Sequence, residues 1–278
     1  MSSHPSSDGV DARRITIHDL ARMRSDGEPI VMVTAYDHSA ASILDAAGVP
    51  VLLVGDSLGM VVLGHPTTLP VTLEDMVHHA GAVMRARPRG LVVVDLPFGT
   101  YQEGPAQALA SAVRIVKESG ADAVKLEGGA RVLPAVRALV EAGIPVMGHL
   151  GLTPQSVAQM GGFRVQGRDA TAAATILEDA VALAEAGVFA TVLECIPAGL
   201  AARVTAASPV PTIGIGAGPE VDGQVLVWHD LLGLGDGRSP RFVRAYADLR
   251  STIVGALEAF RDDVRTGAFP SEAESYGD

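Results

Sequence analysis

The chain has 278 residues, 48% of them hydrophobic and only 4% aromatic, which is enough for a large core in one large domain or two small ones. Its net charge of -11, with no basic run to offset it, argues against an electrostatic nucleic-acid binder. One cysteine, Cys195, excludes an intramolecular disulfide and a thiolate zinc cluster, and no apolar run approaches the ~20 residues of a membrane-spanning helix.

The N-terminal MSSHPSSDGVDARR is polar and lacks the apolar core of a signal peptide, so a soluble cytoplasmic protein is expected. Residues 1–12, rich in Ser, Pro and Asp, read as a disordered tail. Thr16 to Arg24 then reads as a short amphipathic helix ahead of the first strand.

From Pro29 onward a strand pattern recurs in the runs IVMVTAYD, VPVLLVGDS, LVVVDLP, ADAVKLEGG, IPVMGHLG, VFATVLECIP, VPTIGIGAG and VLVWHDLLG. Such continuous apolar runs suit strands buried on both faces, as in a parallel sheet. Helical stretches lie between them. Ser39 to Ala47 stops at Gly48; Leu73 to Arg87 has Thr72 as its cap and Glu74 and Asp75 in its first turn. Pro105 to Ser119 starts with Pro at the first helical position and ends at Gly120. Val132 to Ala142 and Thr171 to Ala186 each end at a glycine. This cadence of repeated β-α units predicts an α/β fold, a single (β/α)8 (TIM) barrel over residues 13–262, followed by a polar C-terminal tail, 263–278. An open doubly wound sheet would usually place a glycine fingerprint after its first strand, where this chain has TAYDHS.

Four runs end in an acid followed by Gly, Pro, Ser or another turn signal: Asp56 in VGDSLG, Asp95 in VVVDLP, Glu127 in KLEGG and Glu194 in VLECIP. Taken singly, each reads more readily as a helix cap. Three in register, after the second, third and fourth strands, point to a site at the carboxyl ends of a barrel. Their hard oxygens suit Mg2+ better than zinc, with two direct ligands and a third acting through water. Lys125 and Glu127 alternate along one strand and share a face, so Lys125 is either a ligand for a substrate oxygen or a structural ion pair. His149, after the fifth strand, is a candidate to support a ligand or bind substrate. Glu194, across the barrel, suits a general base that is not a metal ligand. Cys195 beside it reads as a small buried apolar residue. The GIGAG run after the seventh strand could hold phosphate, but Glu220 and Asp222 follow at once and weaken that reading.

The blocks MVTAYD, VGDSLGMVVLGHPTTLPVTLEDMVHHAGAV, DLPFGTY, VKLEGG, PVMGHLGLTPQS, LECIP and GIGAGPEVDGQVLVWHDLLG resemble the ketopantoate (3-methyl-2-oxobutanoate) hydroxymethyltransferase family, in the right order from Met32 to Leu234. The resemblance implies a (β/α)8 barrel that uses Mg2+ and moves a one-carbon unit from 5,10-methylenetetrahydrofolate to 3-methyl-2-oxobutanoate, giving 2-dehydropantoate for pantothenate and coenzyme A synthesis. It implies a metal-stabilised enolate and a homo-oligomer, typically a decamer of two pentameric rings. By motif, Asp56, Asp95 and Glu127 form the metal site, Asp56, Ser57, Asp95 and Lys125 contact the keto acid, and Glu194 is the base. Two other classes compete. Lyases of the isocitrate lyase and phosphoenolpyruvate mutase type often carry a catalytic Cys in a loop followed by Gly-His, whereas Cys195 is followed by Ile196 and Pro197. A non-catalytic ligand-binding barrel would have no need of several acids at strand ends.

Overall fold

The eight apolar runs become eight strands because Val, Ile and Leu fill both faces of each and leave the backbone to pair with its neighbours. The computed structural model describes residues 13–235 and 240–277. Segment 1–12, expected as a disordered tail, lies outside the described residues. The strands are β1 (Ile30–Thr34), β2 (Val51–Val54), β3 (Leu91–Asp95), β4 (Ala123–Glu127), β5 (Val146–Gly151), β6 (Ala190–Glu194), β7 (Thr212–Ile215) and β8 (Gly223–Leu226). All pair in parallel, in chain order, and β8 closes on β1. The expected barrel is therefore present. Its eighth strand starts earlier than the VLVWHDLLG run, and Trp228–Leu231 within that run is a helical turn.

Alternate residues of each strand point into the barrel. The interior is filled by Ile30 and Met32, Val51 and Leu53, Leu91 and Val93, Ala123, Met147, Ala190 and Val192, Ile213 and Val225. The helix α1 (Ile17–Asp26) adds Leu20 and Met23 to the same cluster. A capping box starts α1, with the Thr16 backbone N–H donating to Asp19 Oδ2 at 2.8 Å.

Continuing the inward ladders by two residues places the charged groups. Asp95 follows Val93, Lys125 and Glu127 follow Ala123, His149 follows Met147, and Glu194 follows Val192. The same period that builds the apolar interior thus caps it with polar groups at the carboxyl ends of the strands.

Outside the strands lie α2 (His38–Ala46), the turn α3 (Leu58–Val61), α4 (Leu73–Arg85), α5 (Pro105–Ser119), α6 (Leu133–Glu141), α7 (Ala170–Glu185) and α8 (Ala198–Ala207). Thr72 caps α4 as expected, in a capping box with Asp75. The sequence reading passed over α8, whose AGLAARVTAA is small and apolar almost all round; its Leu200, Ala201 and Val204 are buried. Between β7 and β8 the chain makes no helix, only a short crossing. Asp222 anchors that crossing: the Thr212 backbone N–H donates to Asp222 Oδ2 at 2.8 Å, and Arg24 lies 3.3 Å from it. On the back of β1, Val31 is 48% exposed, and Gln224 of β8 is exposed too.

Contacts divide the chain into two compact units after Leu226. The second holds a turn, α9 (Trp228–Leu231), and a long helix, α10 (Leu249–Thr266), capped by Asp248. This helix runs to Thr266, into the stretch read as a polar tail. Its Ile253, Leu257, Phe260 and Val264 lie on one face and are exposed. Among the described residues no helix is long and apolar enough to cross a membrane.

Candidate active site

Six of the charged or polar groups expected at a site meet at the carboxyl ends of β2 to β6. Asp56 follows β2, and Asp95, Glu127 and Glu194 are the last residues of β3, β4 and β6. Asp56, Asp95, Lys125, Glu127 and His149 are all buried. Register aligns them: Asp95 pairs with Lys125, Glu127 with His149, and Gly151 with Glu194.

Distances turn that register into two linked groups. Lys125 Nζ lies 2.8 Å from Asp95 Oδ1, an ion pair not aligned as a hydrogen bond. Asp95 Oδ2 accepts the Asp56 backbone N–H at 3.1 Å. A Cβ on the neighbouring Gly55 would lie 2.9 Å from Ser57 Oγ, too close without a shift, and in ordinary contact at 3.5 Å with Asp95 Oδ2. Ser57 Oγ in turn lies 2.9 Å from the Tyr36 hydroxyl. On the other side, His149 Nδ1 is 3.4 Å from Lys125 Nζ and 3.5 Å from Glu127 Oε1, while its Nε2 is 3.1 Å from Glu194 Oε2. His149 therefore connects the β4 acid to the β6 acid.

Burial and mutual repulsion set the charges. Burial pushes the Asp56 carboxyl well above the usual range, and the charges of Asp95 and Glu127 push it the same way. Burial and the Lys125 charge oppose protonation of His149, but its contacts with Glu127 and Glu194 win and raise it to about 9. For Lys125, burial favours the neutral form, and the charges of Asp95, Glu127 and Asp56 outweigh it to leave its pKa raised. Burial, aided by the Asp95 and Asp56 charges, holds the Tyr36 phenol protonated, so it can donate a hydrogen bond.

The base candidate Glu194 is more open than the acids, its side chain 17% exposed. The chain turns sharply just after it: Cys195 has φ 47, a left-handed conformation rare outside glycine. The facing Gly151, at φ 93, has no room for a side chain, because a Cβ would run into the Glu194 carbonyl oxygen. Cys195 itself is half-buried, and burial pushes its thiol up to about 12, which leaves it without thiolate character at neutral pH.

Two residues in contact with this cluster were not singled out from the sequence, Tyr101 and Gln155. Gln155 donates from Nε2 to Asp56 Oδ2 at 2.8 Å and accepts at Oε1 from the Tyr101 hydroxyl at 2.6 Å. Their only signal was position, in the DLPFGTY and LTPQS stretches that directly follow β3 and β5. The GIGAG glycines allow close packing: a Cβ on Gly214 would press on Val221, and one on Gly218 would run into Ala198. An open cleft of about 400 Å³ lined by Thr205, Pro219, Glu220 and Asp222 shares no residue with the cluster and has no basic lining group.

The arrangement provides a set of hard oxygens, a buried ammonium and a separate carboxylate braced by an imidazole. Among the described residues, no three His, Cys, Asp or Glu side chains form a ready-made coordination group by themselves.

Comparison with known proteins agrees with this architecture. The 3-methyl-2-oxobutanoate hydroxymethyltransferase of Moorella thermoacetica is 60% identical over 263 residues, covering 95% of this chain and 98% of that protein. The protein of the same name from Thermobifida fusca is 56% identical over 280 residues, covering 99% and 100%. Among solved structures, a phosphonopyruvate hydrolase complex with oxalate and Mg2+ superposes with a TM-score of 0.60 at 13% identity, covering 94% of this chain and 93% of that one. A 2,3-dimethylmalate lyase of the PEP mutase/isocitrate lyase superfamily gives 0.58 at 19% identity, covering 94% and 91%. At such identities these structures share the fold. The family model for ketopantoate hydroxymethyltransferase matches residues 14–272, and the chain belongs to that family.

Proposed function

We propose that this protein transfers a hydroxymethyl unit from 5,10-methylenetetrahydrofolate to 3-methyl-2-oxobutanoate, giving 2-dehydropantoate, with Mg2+ as its metal. The observation that carries this reading is the pairing of three buried acids on adjacent strands with a fourth, Glu194, held apart by His149. Enolisation of an α-keto acid needs both parts: a place to hold its two oxygens and a base that is not occupied in holding them.

The donor set fits a hard cation. Four carboxyl groups face only two basic groups, Lys125 and His149, and the raised pKa of Asp56 reflects its burial first and then the charges of Asp95 and Glu127. Asp56 and Asp95 would hold the ion and Glu127 would complete its site through water, since Mg2+ keeps several waters. When bound, the ion draws electron density from the substrate carbonyl and acidifies the neighbouring C–H.

The remaining work falls to the chain. Lys125 and the Ser57 hydroxyl hold the keto acid's oxygens. Glu194 takes the C3 proton, and the C3 carbon bonds to the folate-borne methylene as that carbon parts from the folate nitrogens; water supplies the hydroxyl, and tetrahydrofolate leaves with 2-dehydropantoate. His149, against Glu194 Oε2, keeps that carboxylate aimed while Glu127 and Lys125 hold the imidazole from the other side. Burial keeps Cys195 a thiol, which does not suit a nucleophilic role, and Ile196 and Pro197 follow it in place of Gly-His. The protein is expected to act in the cytoplasm as a homo-oligomer, a decamer by family resemblance.

Purified protein given Mg2+, the keto acid and methylenetetrahydrofolate should form 2-dehydropantoate, and chelation of the metal should stop it. No product with these substrates, but cleavage of a 2-hydroxy or 2-keto dicarboxylic acid, would favour the lyase reading.

A further inference from the structure

We infer that Gln155 is the positioning residue of the metal site, holding one carboxylate with its side chain and a second with its backbone, and that Tyr101 sets the orientation of its amide. This rests on the Mg2+ reading proposed above. Gln155 lies in a short 3-10 turn, Pro154–Ser156, directly after β5, and it is only 5% exposed. A buried Gln must satisfy an amide with two donors and an acceptor. Here every partner belongs to the site or to the loops that build it.

The Nε2 group donates to Asp56 Oδ2 at 2.8 Å and to the Leu96 carbonyl at 2.9 Å. Oε1 accepts from the Tyr101 hydroxyl at 2.6 Å and from Gln102 Nε2 at 3.3 Å. The backbone N–H of Gln155 donates to Glu127 Oε2 at 3.0 Å. One residue thus reaches the acids after β2 and at the end of β4; Asp56 keeps its Oδ1 for a cation, while Glu127 Oε1 lies 3.5 Å from His149 Nδ1, in keeping with a ligand that acts through water. A flipped amide would set Oε1 against two acceptors, Asp56 Oδ2 and the Leu96 carbonyl, so the contacts admit one orientation. Tyr101, 3% exposed, reinforces it, and burial keeps its phenol protonated and able to donate. The hydroxyl of Tyr101 also accepts the Glu127 backbone N–H at 3.3 Å, so both carboxylates are tied to the same pair.

Carboxylates bind a divalent ion tightly when their outer hydrogen bonds fix them beforehand, and loss of such a partner typically weakens metal binding 10- to 100-fold. The test is the affinity for Mn2+, followed by the electron paramagnetic resonance of the free ion, in four proteins: wild type, Gln155→Leu, Tyr101→Phe and the double variant. Metal-free melting curves verify that each is folded. Gln155→Leu keeps the backbone donor but should raise the Mn2+ Kd about 10- to 100-fold. Tyr101→Phe should raise it several-fold, and the double variant should be no weaker than Gln155→Leu, because Tyr101 acts through Gln155. Wild-type affinity in folded Gln155→Leu overturns the assignment, and additive losses overturn the role given to Tyr101. If Gln155→Leu does not fold, Tyr101→Phe decides: unchanged affinity refutes the network. Wild-type protein that binds no Mn2+ refutes the metal reading itself, a result distinct from equal binding by wild type and variant.

Discussion

Lys125 Nζ lies 2.8 Å from Asp95 Oδ1, and the two residues are also register partners on β4 and β3. A buried pair of this kind is costly to desolvate and is weak grounds for a stability role by itself. On the function proposed above, its place between a candidate metal ligand and His149 would make it a fixed positive charge beside the substrate's oxygens.

If Lys125 holds the keto acid, Lys125→Gln should raise the KM for 3-methyl-2-oxobutanoate far more than that for methylenetetrahydrofolate. Removing one charge-assisted hydrogen bond costs about 1.5–3 kcal/mol, or roughly tenfold and more in affinity. Steady-state kinetics with each substrate varied in turn reads this directly. Equal changes in both constants would mark Lys125 as a structural partner of Asp95 only.

Glu194 should remove the C3 proton even without folate. In D2O, wild-type protein with Mg2+ and the keto acid should exchange that hydrogen, observed by proton NMR. Glu194→Gln should slow both exchange and turnover by about 10²- to 10⁴-fold, the usual contribution of a general base. Exchange at the wild-type rate in that variant would move the base to another group.

His149 links pH to stability in the metal-free protein. Its folded-state pKa of about 9 is above the unfolded value of about 6.5. The contribution is therefore fully present below pH 6.5 and is lost as pH rises through 9. Melting temperatures of metal-free protein should fall over that window, and His149→Gln should flatten the fall by an amount on the order of a few kcal/mol. The raised Asp56 pKa acts in the same direction, so only the difference between wild type and variant belongs to His149. Parallel curves for the two proteins would show that His149 carries no such linkage.

The exposed apolar face of α10 (Ile253, Leu257, Phe260 and Val264) is more than an isolated chain normally leaves in water. Light scattering should give a mass many times that of the 28.6 kDa chain. Charged substitutions at Leu257 and Phe260 should lower that mass. A monomer across a wide concentration range would refute assembly.

The barrel was legible because its signal is periodic: eight apolar runs, most of them ending near a glycine-marked turn, leave few other topologies. The acids were legible for the same reason, as the inward ladder that includes Val93 continues to Asp95 and the one that includes Val192 continues to Glu194. The eighth strand was misplaced by two residues at its start because Gly223 and Gln224 are poor strand formers that pair only through β1 and β7. Helix α8 was missed because a helix rich in alanine shows little contrast between its faces. Gln155 and Tyr101 were illegible for a deeper reason. Gln155 and Asp56 are 99 residues apart, and a hydrogen bond across that distance leaves no local pattern.

The closing seam of the barrel has a consequence for where motion can be tolerated. The chain passes from β7 to β8 without a helix, β8 pairs with β1, and the backs of these two strands carry the exposed Gln224 and Val31. Elements with little apolar cover are the first to open locally. Every candidate reacting group, from Asp56 to Glu194, lies on the continuous arc of β2 to β6, away from that seam. Breathing at β8 and β1 would loosen the cylinder without parting the acids from the base. Opening at this seam therefore leaves the spacing of the reacting arc in place.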